Sequence, residues 1–139
     1  MLKNGVSAEK LFIIAQALPT NRVLAKTKSN TTEGVLKLMF IGRMQPHKGV
    51  HLMLELMECL EGFPVELELY GKEETGKYFE ENIQRAKKLK NVKIHGFLKN
   101  EMVIETMQKY DALLLPSLFS EMSPIVIQEA FAAGVPVLA

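Results

Sequence analysis

The alternation of strand-like and helix-like segments from residue 35 onward constrains the fold more than any other feature of this sequence. Short apolar runs predict strands at residues 36–41, 65–70, 92–95, 112–115 and 135–138. Between them, longer stretches with helical periodicity predict helices at residues 50–60, 77–89, 101–109 and 124–133. This order is typical of a doubly wound, Rossmann-like parallel α/β sheet. A chain of 139 residues is long enough for one such domain with its own core.

The apolar patterns also predict how deeply the elements are buried. Val50, Met53 and Met57 form one stripe of the first helix, which predicts that this helix packs against the sheet. The strand at 65–70 alternates apolar and acidic residues, whereas residues 112–115 are apolar throughout. We therefore expect the second strand to be more peripheral in the sheet than the fourth.

The first 34 residues differ in character from the rest, and we interpret residues 1–34 as an inter-domain strand and linker ahead of a domain at residues 35–139. The apolar run at 11–18 predicts a buried strand. As the core of a secretory signal it is disfavoured, because Gln16 interrupts it and no cleavage pattern follows. The polar segment 26–34 predicts a linker.

Composition excludes several classes of function. A formal net charge of +1 gives no global field that would attract nucleic acid or an anionic membrane. Cys59 is the single cysteine, so no internal disulfide forms, and a reducing cytoplasm fits. His47 has no second ligand at metal-binding spacing, so no metal site is predicted. The last strand-like run stops at Ala139, and we expect the chain to be incomplete at its C-terminus.

The loop after the first predicted strand combines two glycines with two cations. Gly42 permits a sharp exit from the strand, and Gly49 lets a ligand approach the backbone closely. Arg43 can donate two hydrogen bonds to a phosphate. Lys48 stands at a helix start, where a lysine is unfavourable unless an anion binds. From this segment alone, a solvated basic loop remains an equal alternative.

The segment after the fourth predicted strand carries two carboxylates. Ser123 and Pro124 predict the N-cap and first residue of a helix, which leaves backbone N–H groups for an anion. Glu129 falls on the apolar face of that helix and needs a partner, and Glu121 lies in the preceding loop. Two carboxylates suit a ligand rich in hydroxyl groups. Singly, an ordinary surface acid at Glu121 or an internal ion pair at Glu129 remains an alternative.

These residues together resemble retaining glycosyltransferase family 4, which has the GT-B fold. The resemblance rests on Gly42-Arg43 with Lys48, and on Glu121 and Glu129 followed by Ala-Gly-Val-Pro-Val. It covers residues 35–139 and implies the C-terminal, donor-binding half of a two-domain enzyme. Two departures concern Met122, where the family has a Gly-Phe pair after its first glutamate, and the turn after the second strand, which lacks the family's second glycine.

The resemblance also implies a role for each site residue. Arg43 and Lys48 would hold the diphosphate, Glu129 the ribose and Glu121 the donor sugar, with Arg43, Lys48 and Glu121 as the catalytic set. Backbone groups near Phe97 and Leu98 would contact the base. The complete donor-binding set that it implies is Gly42, Arg43, Lys48, Gly71, Phe97, Leu98, Glu121, Ser123, Pro124, Ile125 and Glu129. Gly71 would supply a turn at the ligand edge.

The function expected on these grounds is transfer of a hexose-type sugar from a nucleotide sugar, such as a UDP- or GDP-sugar, to an acceptor. The resemblance implies retention of configuration, and no metal or cofactor is expected. The expected partner is an N-terminal acceptor half, with peripheral membrane association through it, and the chain alone should not transfer sugar. A sugar-nucleotide epimerase of the same architecture and a non-catalytic binding module remain alternatives. A dinucleotide oxidoreductase is disfavoured, because no G-x-G-x-x-G follows the first strand.

Overall fold

The computed structural model describes residues 2–12, 17–18, 34–120 and 124–139. Within them, one parallel sheet has five strands in the order β3-β2-β1-β4-β5. The strands are β1 (Leu36–Ile41), β2 (Val65–Tyr70), β3 (Val92–Gly96), β4 (Ala112–Leu114) and β5 (Val137–Leu138). The helices are α1 (Val50–Cys59), α2 (Lys77–Lys88), α3 (Val103–Met107) and α4 (Ile125–Ala133). Short 3₁₀ helices span Leu2–Asn4, Ala8–Lys10, Pro46–Lys48 and Asn100–Met102. The predicted doubly wound α/β class is confirmed.

The sheet separates two apolar cores. On one face, Leu38 and Phe40 pack with α1 and α2. On the other face, Met39 and Leu113 pack with α3 and α4. Successive residues of a strand point to opposite faces, so β1 contributes to both cores in turn.

A pair of reciprocal hydrogen bonds aligns β4 with β1. The Lys37 N–H donates to a carboxylate oxygen of Asp111, and the Asp111 N–H donates to the Lys37 carbonyl, each at 2.8 Å. Asp111 immediately precedes β4, so these two bonds set the register in which β4 begins.

The prediction that the second strand is more peripheral than the fourth is wrong in position, because β2 and β4 each lie next to an edge strand. It is right in burial: β4 is buried throughout, whereas Glu66 and Glu68 of β2 are only half-buried. The core that contains residues of α3 and α4 reaches Leu113 but not these two glutamates.

The predicted bounds of β1 and β2 match the structure residue for residue. The helix predicted at 101–109 is shorter, because Asn100–Met102 form a 3₁₀ turn before α3. The last helix begins at Ile125, and Pro124 is its N-cap instead of its first residue, because its ψ of 116° is extended. The strand predicted at 135–138 contains only Val137–Leu138.

Most of the predicted strand at 11–18 and of the linker at 26–34 lies outside the described residues. The four residues described at 11–18 carry no regular secondary structure. Phe12 is 83% exposed, so its predicted burial is wrong. In the described part of the chain, no helix is long and apolar enough to cross a membrane.

Candidate functional site

The candidate site lies at the carboxyl ends of the strands, where the strand order changes direction. From β1 the chain proceeds outward to β2 and β3, and then returns to place β4 on the other side of β1. In open parallel sheets, ligands bind in the crevice at such a switch point. The loops that follow β1, β2, β3 and β4 all reach this edge.

The loops after β1, β2 and β3 are held together through backbone atoms. The Gly42 N–H donates to the Tyr70 carbonyl at 3.0 Å, and the Gly71 N–H donates to the Gly96 carbonyl at 2.8 Å. A Cβ added at Gly71 would overlap the carbonyl oxygen of Gly42, so only glycine allows this approach. The predicted role of Gly71 as a plain turn therefore understates it: Gly71 is where two loops touch.

A pocket of about 220 Å³ lies between these three loops. Its lining residues are Ile41, Gly42, Arg43, Gly71, Lys72, Phe97, Leu98 and Asn100. Five members of the predicted set thus come together: Gly42, Arg43, Gly71, Phe97 and Leu98. The sequence reasoning missed Ile41, Lys72 and Asn100. Lys72 directly follows Gly71, and its position in the loop after a parallel strand is the signal that could have identified it.

The pocket offers two kinds of recognition. Arg43 and Lys72 are exposed cations on adjacent loops, and their charges can bind an anionic group. Phe97 also lines the pocket and is 68% exposed, which leaves its ring available for stacking on a planar group. A nucleotide combines an anionic phosphate with a planar base, so this pocket suits a nucleotide.

Lys48 lies outside that pocket, at the end of the 3₁₀ helix Pro46–Lys48 that precedes α1. Gly49 follows with a φ of +70° and caps α1. Its predicted role, to admit a ligand close to the backbone, is wrong, because the backbone of Pro116 already occupies that space. Next to this contact, the Leu118 N–H donates to the His47 carbonyl at 2.8 Å.

The predicted residues after β4 are only partly described. Glu121 and Ser123 lie outside the described residues. Pro124 and Ile125 stand at the start of α4, and Glu129 is buried on the helix face that also buries Ala130. The predicted position of Glu129 on the apolar face is confirmed. None of Pro124, Ile125 and Glu129 lines the 220 Å³ pocket.

A larger cavity, of about 360 Å³, opens between α2 and the edge strand β3. Phe79, Ile83 and Ile94 give it apolar walls, and Gly71 is the one predicted site residue that it touches. We place the candidate site in the smaller pocket, because it includes the loop after β1, which borders the switch point, and because Arg43 and Lys72 line it.

A hydrogen-bonded network joins side chains near the carboxyl ends of β2 and β3. Tyr110 donates to Glu68 at 2.6 Å and bonds the Tyr70 hydroxyl at 2.8 Å, and His95 Nε2 lies 2.6 Å from the same Glu68 oxygen. The Tyr70 and His95 rings stack with centroids 4.6 Å apart. Tyr70 and His95 immediately precede Gly71 and Gly96, so the network fixes the strand ends from which two pocket loops emerge.

The electrostatics of this network follow from its contacts. Partial burial alone would raise the pKa of Glu68, but the hydrogen bond from Tyr110 and the charges of His95 and Lys93 outweigh it and lower the pKa. Burial, assisted by the hydrogen bonds to Glu68 and Tyr70, raises the pKa of Tyr110 far above its ordinary value. Glu68 therefore stays ionised and Tyr110 stays a hydrogen-bond donor at neutral pH.

A second contact ties the start of α1 to α2. Nδ1 of His51 lies 2.8 Å from the Tyr78 hydroxyl, which also accepts the His51 N–H at 3.2 Å. Burial raises the pKa of Tyr78, so the hydroxyl is protonated at neutral pH. Among the described residues, no group of three or more His, Cys, Asp or Glu could hold a metal ion.

Several solved structures share the fold of this chain. Anabaena HepE in complex with UDP and glucose is 24% identical, with a TM-score of 0.74, over 98% of this chain and 39% of HepE. S. aureus TarM, with Fondaparinux, alpha-GlcNAc-glycerol and UDP, is 19% identical (TM-score 0.71; 98% and 26% covered). The lipopolysaccharide outer core galactosyltransferase WaaB in its apo form is 20% identical (0.67; 98% and 38%).

These likenesses, all below 25% identity, show the GT-B fold, and the chain spans about two fifths of the length of HepE. No curated protein sequence matches this chain. The family model described as glycosyl transferases group 1 matches residues 22–139, which is most of the sequence. The chain therefore belongs to the group 1 glycosyl transferases.

Proposed function

We propose that this chain is the C-terminal, donor-binding domain of a retaining, metal-independent hexosyltransferase of glycosyltransferase family 4, and that it binds a nucleotide-diphosphate sugar. The observation that carries the proposal is the 220 Å³ pocket at the carboxyl ends of β1, β2 and β3, whose lining combines Arg43 and Lys72 with the exposed ring of Phe97. Family membership supports it. The printed ligands of HepE and TarM include UDP, which makes a UDP-sugar the first donor to test.

The pocket suggests where the parts of the donor lie. The base stacks near Phe97 and meets backbone groups of Leu98, while Arg43 binds the diphosphate from the loop after β1. Lys48 completes the diphosphate site from the start of α1. Glu129 would bind the ribose, and Glu121 the donor sugar.

The chemistry proposed for these groups is electrostatic. When the bond between the sugar C1 and the leaving oxygen breaks, negative charge grows on the diphosphate. Fixed cations aimed at that oxygen stabilise the charge more in the transition state than in the ground state. Arg43 and Lys48 supply such cations, so the reaction does not require a divalent metal ion.

The complete reaction needs a second domain in this proposal. We infer that an acceptor-binding N-terminal half closes over the donor and supplies any peripheral association with a membrane. Positioning of a second substrate contributes roughly 7 to 11 kcal/mol in well-oriented systems. Alone, the present chain should bind donor without transferring sugar, so binding is the appropriate measurement.

The test is calorimetry of UDP and UDP-glucose with wild type, Arg43→Ala and the control Lys90→Ala. Lys90 is an exposed cation in the turn before β3, at the opposite edge of the sheet. Loss of a charged hydrogen bond costs about 1.5 to 3 kcal/mol, so Arg43→Ala should weaken binding roughly 10- to 150-fold. Lys90→Ala should bind as wild type does. Equal affinities for all three proteins, or a strict magnesium requirement in EDTA titrations, would overturn the proposal.

The proposed roles of Glu121 and Glu129 can be distinguished by comparing the binding of UDP with that of UDP-glucose. Glu129→Gln should weaken the binding of UDP itself, because the ribose is present in both ligands. Glu121→Gln should weaken only UDP-glucose. If both variants lose affinity equally for both ligands, the assignment of ribose and sugar is wrong.

A further inference from the structure

We propose that Gly49 is a positioning residue for Lys48: it lets the loop after β4 lock against the turn that carries this lysine, and so holds Lys48 in place for the diphosphate. The inference rests on the proposed function and deepens it. Gly49 itself contacts no ligand in this arrangement. It acts through the backbone on either side of Lys48.

The first observation is a close approach that only glycine permits. A Cβ at Gly49 would overlap the carbonyl oxygen of Pro116 and lie 3.0 Å from the carbonyl carbon. Pro116 lies two residues after the end of β4, in the loop that leads to α4, and is 67 positions from Gly49 along the chain. The contact therefore joins the two loops that flank the switch point.

The second observation is a hydrogen bond on the other side of Lys48. The Leu118 N–H donates to the His47 carbonyl at 2.8 Å. His47 and Gly49 are the two neighbours of Lys48. The loop at 116–118 therefore contacts the backbone immediately before and immediately after the lysine. Two attachment points fix the direction of the chain between them, and hence the direction in which its side chain leaves.

The third observation separates close approach from turn geometry. Gly49 has a φ of +70°, which favours glycine in any surroundings. Gly62, in the turn between α1 and β2, has a φ of +88°, but an added Cβ would meet nothing within 4 Å. Alanine at Gly62 therefore carries the backbone strain alone, whereas alanine at Gly49 must also push the two loops apart. This pair of glycines is a matched control.

The consequence is specific to Lys48. Separation of the loops would rotate or shift the 3₁₀ helix Pro46–Lys48, whose carbonyl at Pro46 accepts the Gly49 N–H at 3.1 Å. Displacement of a charged group by about 1 Å is enough to weaken a directed interaction strongly. Arg43, which leaves from β1 ahead of this helix, should keep its position.

The test is a double-mutant cycle on UDP affinity, with Gly49→Ala, Lys48→Ala and the double variant, and with Gly62→Ala as the control. We expect Gly49→Ala to weaken UDP about tenfold, equivalent to ~1.4 kcal/mol, and Gly62→Ala to leave it within about twofold. In the Lys48→Ala background, Gly49→Ala should add less than about twofold, because the group it positions is gone. Equal affinity for the two glycine variants, or a full additive loss in the double variant, overturns the inference.

A second pair of variants covers the case in which Gly49→Ala does not fold. Leu118→Pro removes the N–H that bonds His47, and Leu118→Ala keeps it. The proline variant should weaken UDP more than the alanine variant, and this difference should vanish with Lys48→Ala. An identical affinity for the two Leu118 variants contradicts the inference.

A measurement without ligand distinguishes failure of this inference from failure of the proposed function. Amide exchange at Leu118 should be at least about tenfold faster in Gly49→Ala than in Gly62→Ala, because separated loops expose that N–H. If wild type binds no nucleoside diphosphate, the proposed function fails, and the exchange rates still decide whether Gly49 locks the loops. Equal exchange rates in the two variants would show that it does not.

Discussion

The centre and one wing of the same sheet are built in different ways. At the centre, β1 lies between helices on both faces, and Met39 and Phe40 are both fully buried although they point in opposite directions. In the wing formed by β2 and β3, the face toward α1 and α2 is apolar. The other face carries Glu68, hydrogen-bonded to Tyr110 and His95. On this face of β2, Tyr70 joins the core that contains residues of α3 and α4, whereas Glu68 is held by hydrogen bonds.

Both constructions serve the same pocket. Gly42 and Arg43 emerge from the apolar centre, while Gly71 and Phe97 emerge from the wing with the polar face. The pocket therefore depends on close packing on one side and on hydrogen bonds on the other. Substitutions in the two regions should differ in magnitude and in their dependence on pH.

The largest loss of stability should follow a substitution at the centre of the sheet. Phe40→Ala removes a fully buried ring and should lower the free energy of unfolding by about 3 to 5 kcal/mol. Denaturant unfolding measures it. Phe63→Ala is the matched control, because this ring is 62% exposed and its loss should change stability by less than about 0.5 kcal/mol. Comparable losses of stability in the two variants would mean that burial of Phe40 does not make the centre more sensitive to substitution than the exposed surface.

A smaller effect should come from the network of the wing. Tyr110→Phe keeps the ring and removes the hydroxyl that donates to Glu68 and bonds Tyr70. We expect a loss of about 1.5 to 3 kcal/mol, since a hydrogen bond to a charged group is removed. The Tyr70 hydroxyl, 3.4 Å from the same carboxylate, can replace part of it. A variant as stable as wild type would show that the network contributes no stability.

The pH dependence should be peculiar to the wing. The pKa of Glu68 is lowered in the folded state, so its contribution is present above the ordinary value of 4.5 and is lost as the pH falls through the folded pKa. Wild type should therefore lose more stability between about pH 5 and pH 3 than Glu68→Gln does. Glu61→Gln, in the exposed turn after α1, should follow wild type. Parallel pH profiles for all three proteins would contradict this account.

The smallest loss of stability should follow a substitution of Lys93, the exposed residue at the rim of the network. Lys93 lies 3.1 Å from Glu66 and 3.7 Å from Glu68, but it is more than half exposed, and solvent screens such pairs. Lys93→Met should cost less than about 1 kcal/mol, and 0.5 M salt should reduce that cost further. UDP affinity should be unchanged. A loss as large as that of Tyr110→Phe would place Lys93 inside the network instead of at its rim.

Local patterns in the sequence predict the elements well where one periodicity dominates. The alternation of Val65, Leu67 and Leu69 with acidic residues defines β2 completely, and its face toward α1 and α2 is the buried one. The ends of helices are predicted less well, because a 3₁₀ turn and an α-helix have similar sequence patterns. The 3₁₀ turn Asn100–Met102 before α3 is an example. Such ends depend on packing that neighbouring residues do not encode.

The candidate site divides in the same way. Gly42 and Arg43 could be predicted, because a glycine and a cation after a parallel strand have a physical reason to be there. The contact of Gly49 with Pro116 could not, because it joins loops far apart in the sequence. The bond between Tyr110 and Glu68, 42 positions apart, leaves no local signal either. The contacts of Glu66 and Glu68 with Lys93 and His95 could have been predicted, because in each strand these residues are two apart and therefore lie on one face of the sheet.

The end of α1 has a practical consequence for experiments on this domain. The helix starts at the turn that carries Lys48 and ends at Cys59, which is exposed and is the only cysteine in the sequence. Ten residues of α-helix span about 15 Å, so this thiol lies well away from the pocket. A maleimide fluorophore would attach at one defined point and leave the pocket residues unmodified. In the two-domain enzyme proposed above, fluorescence from Cys59 would report whether this domain moves against the acceptor-binding half as a nucleotide is added.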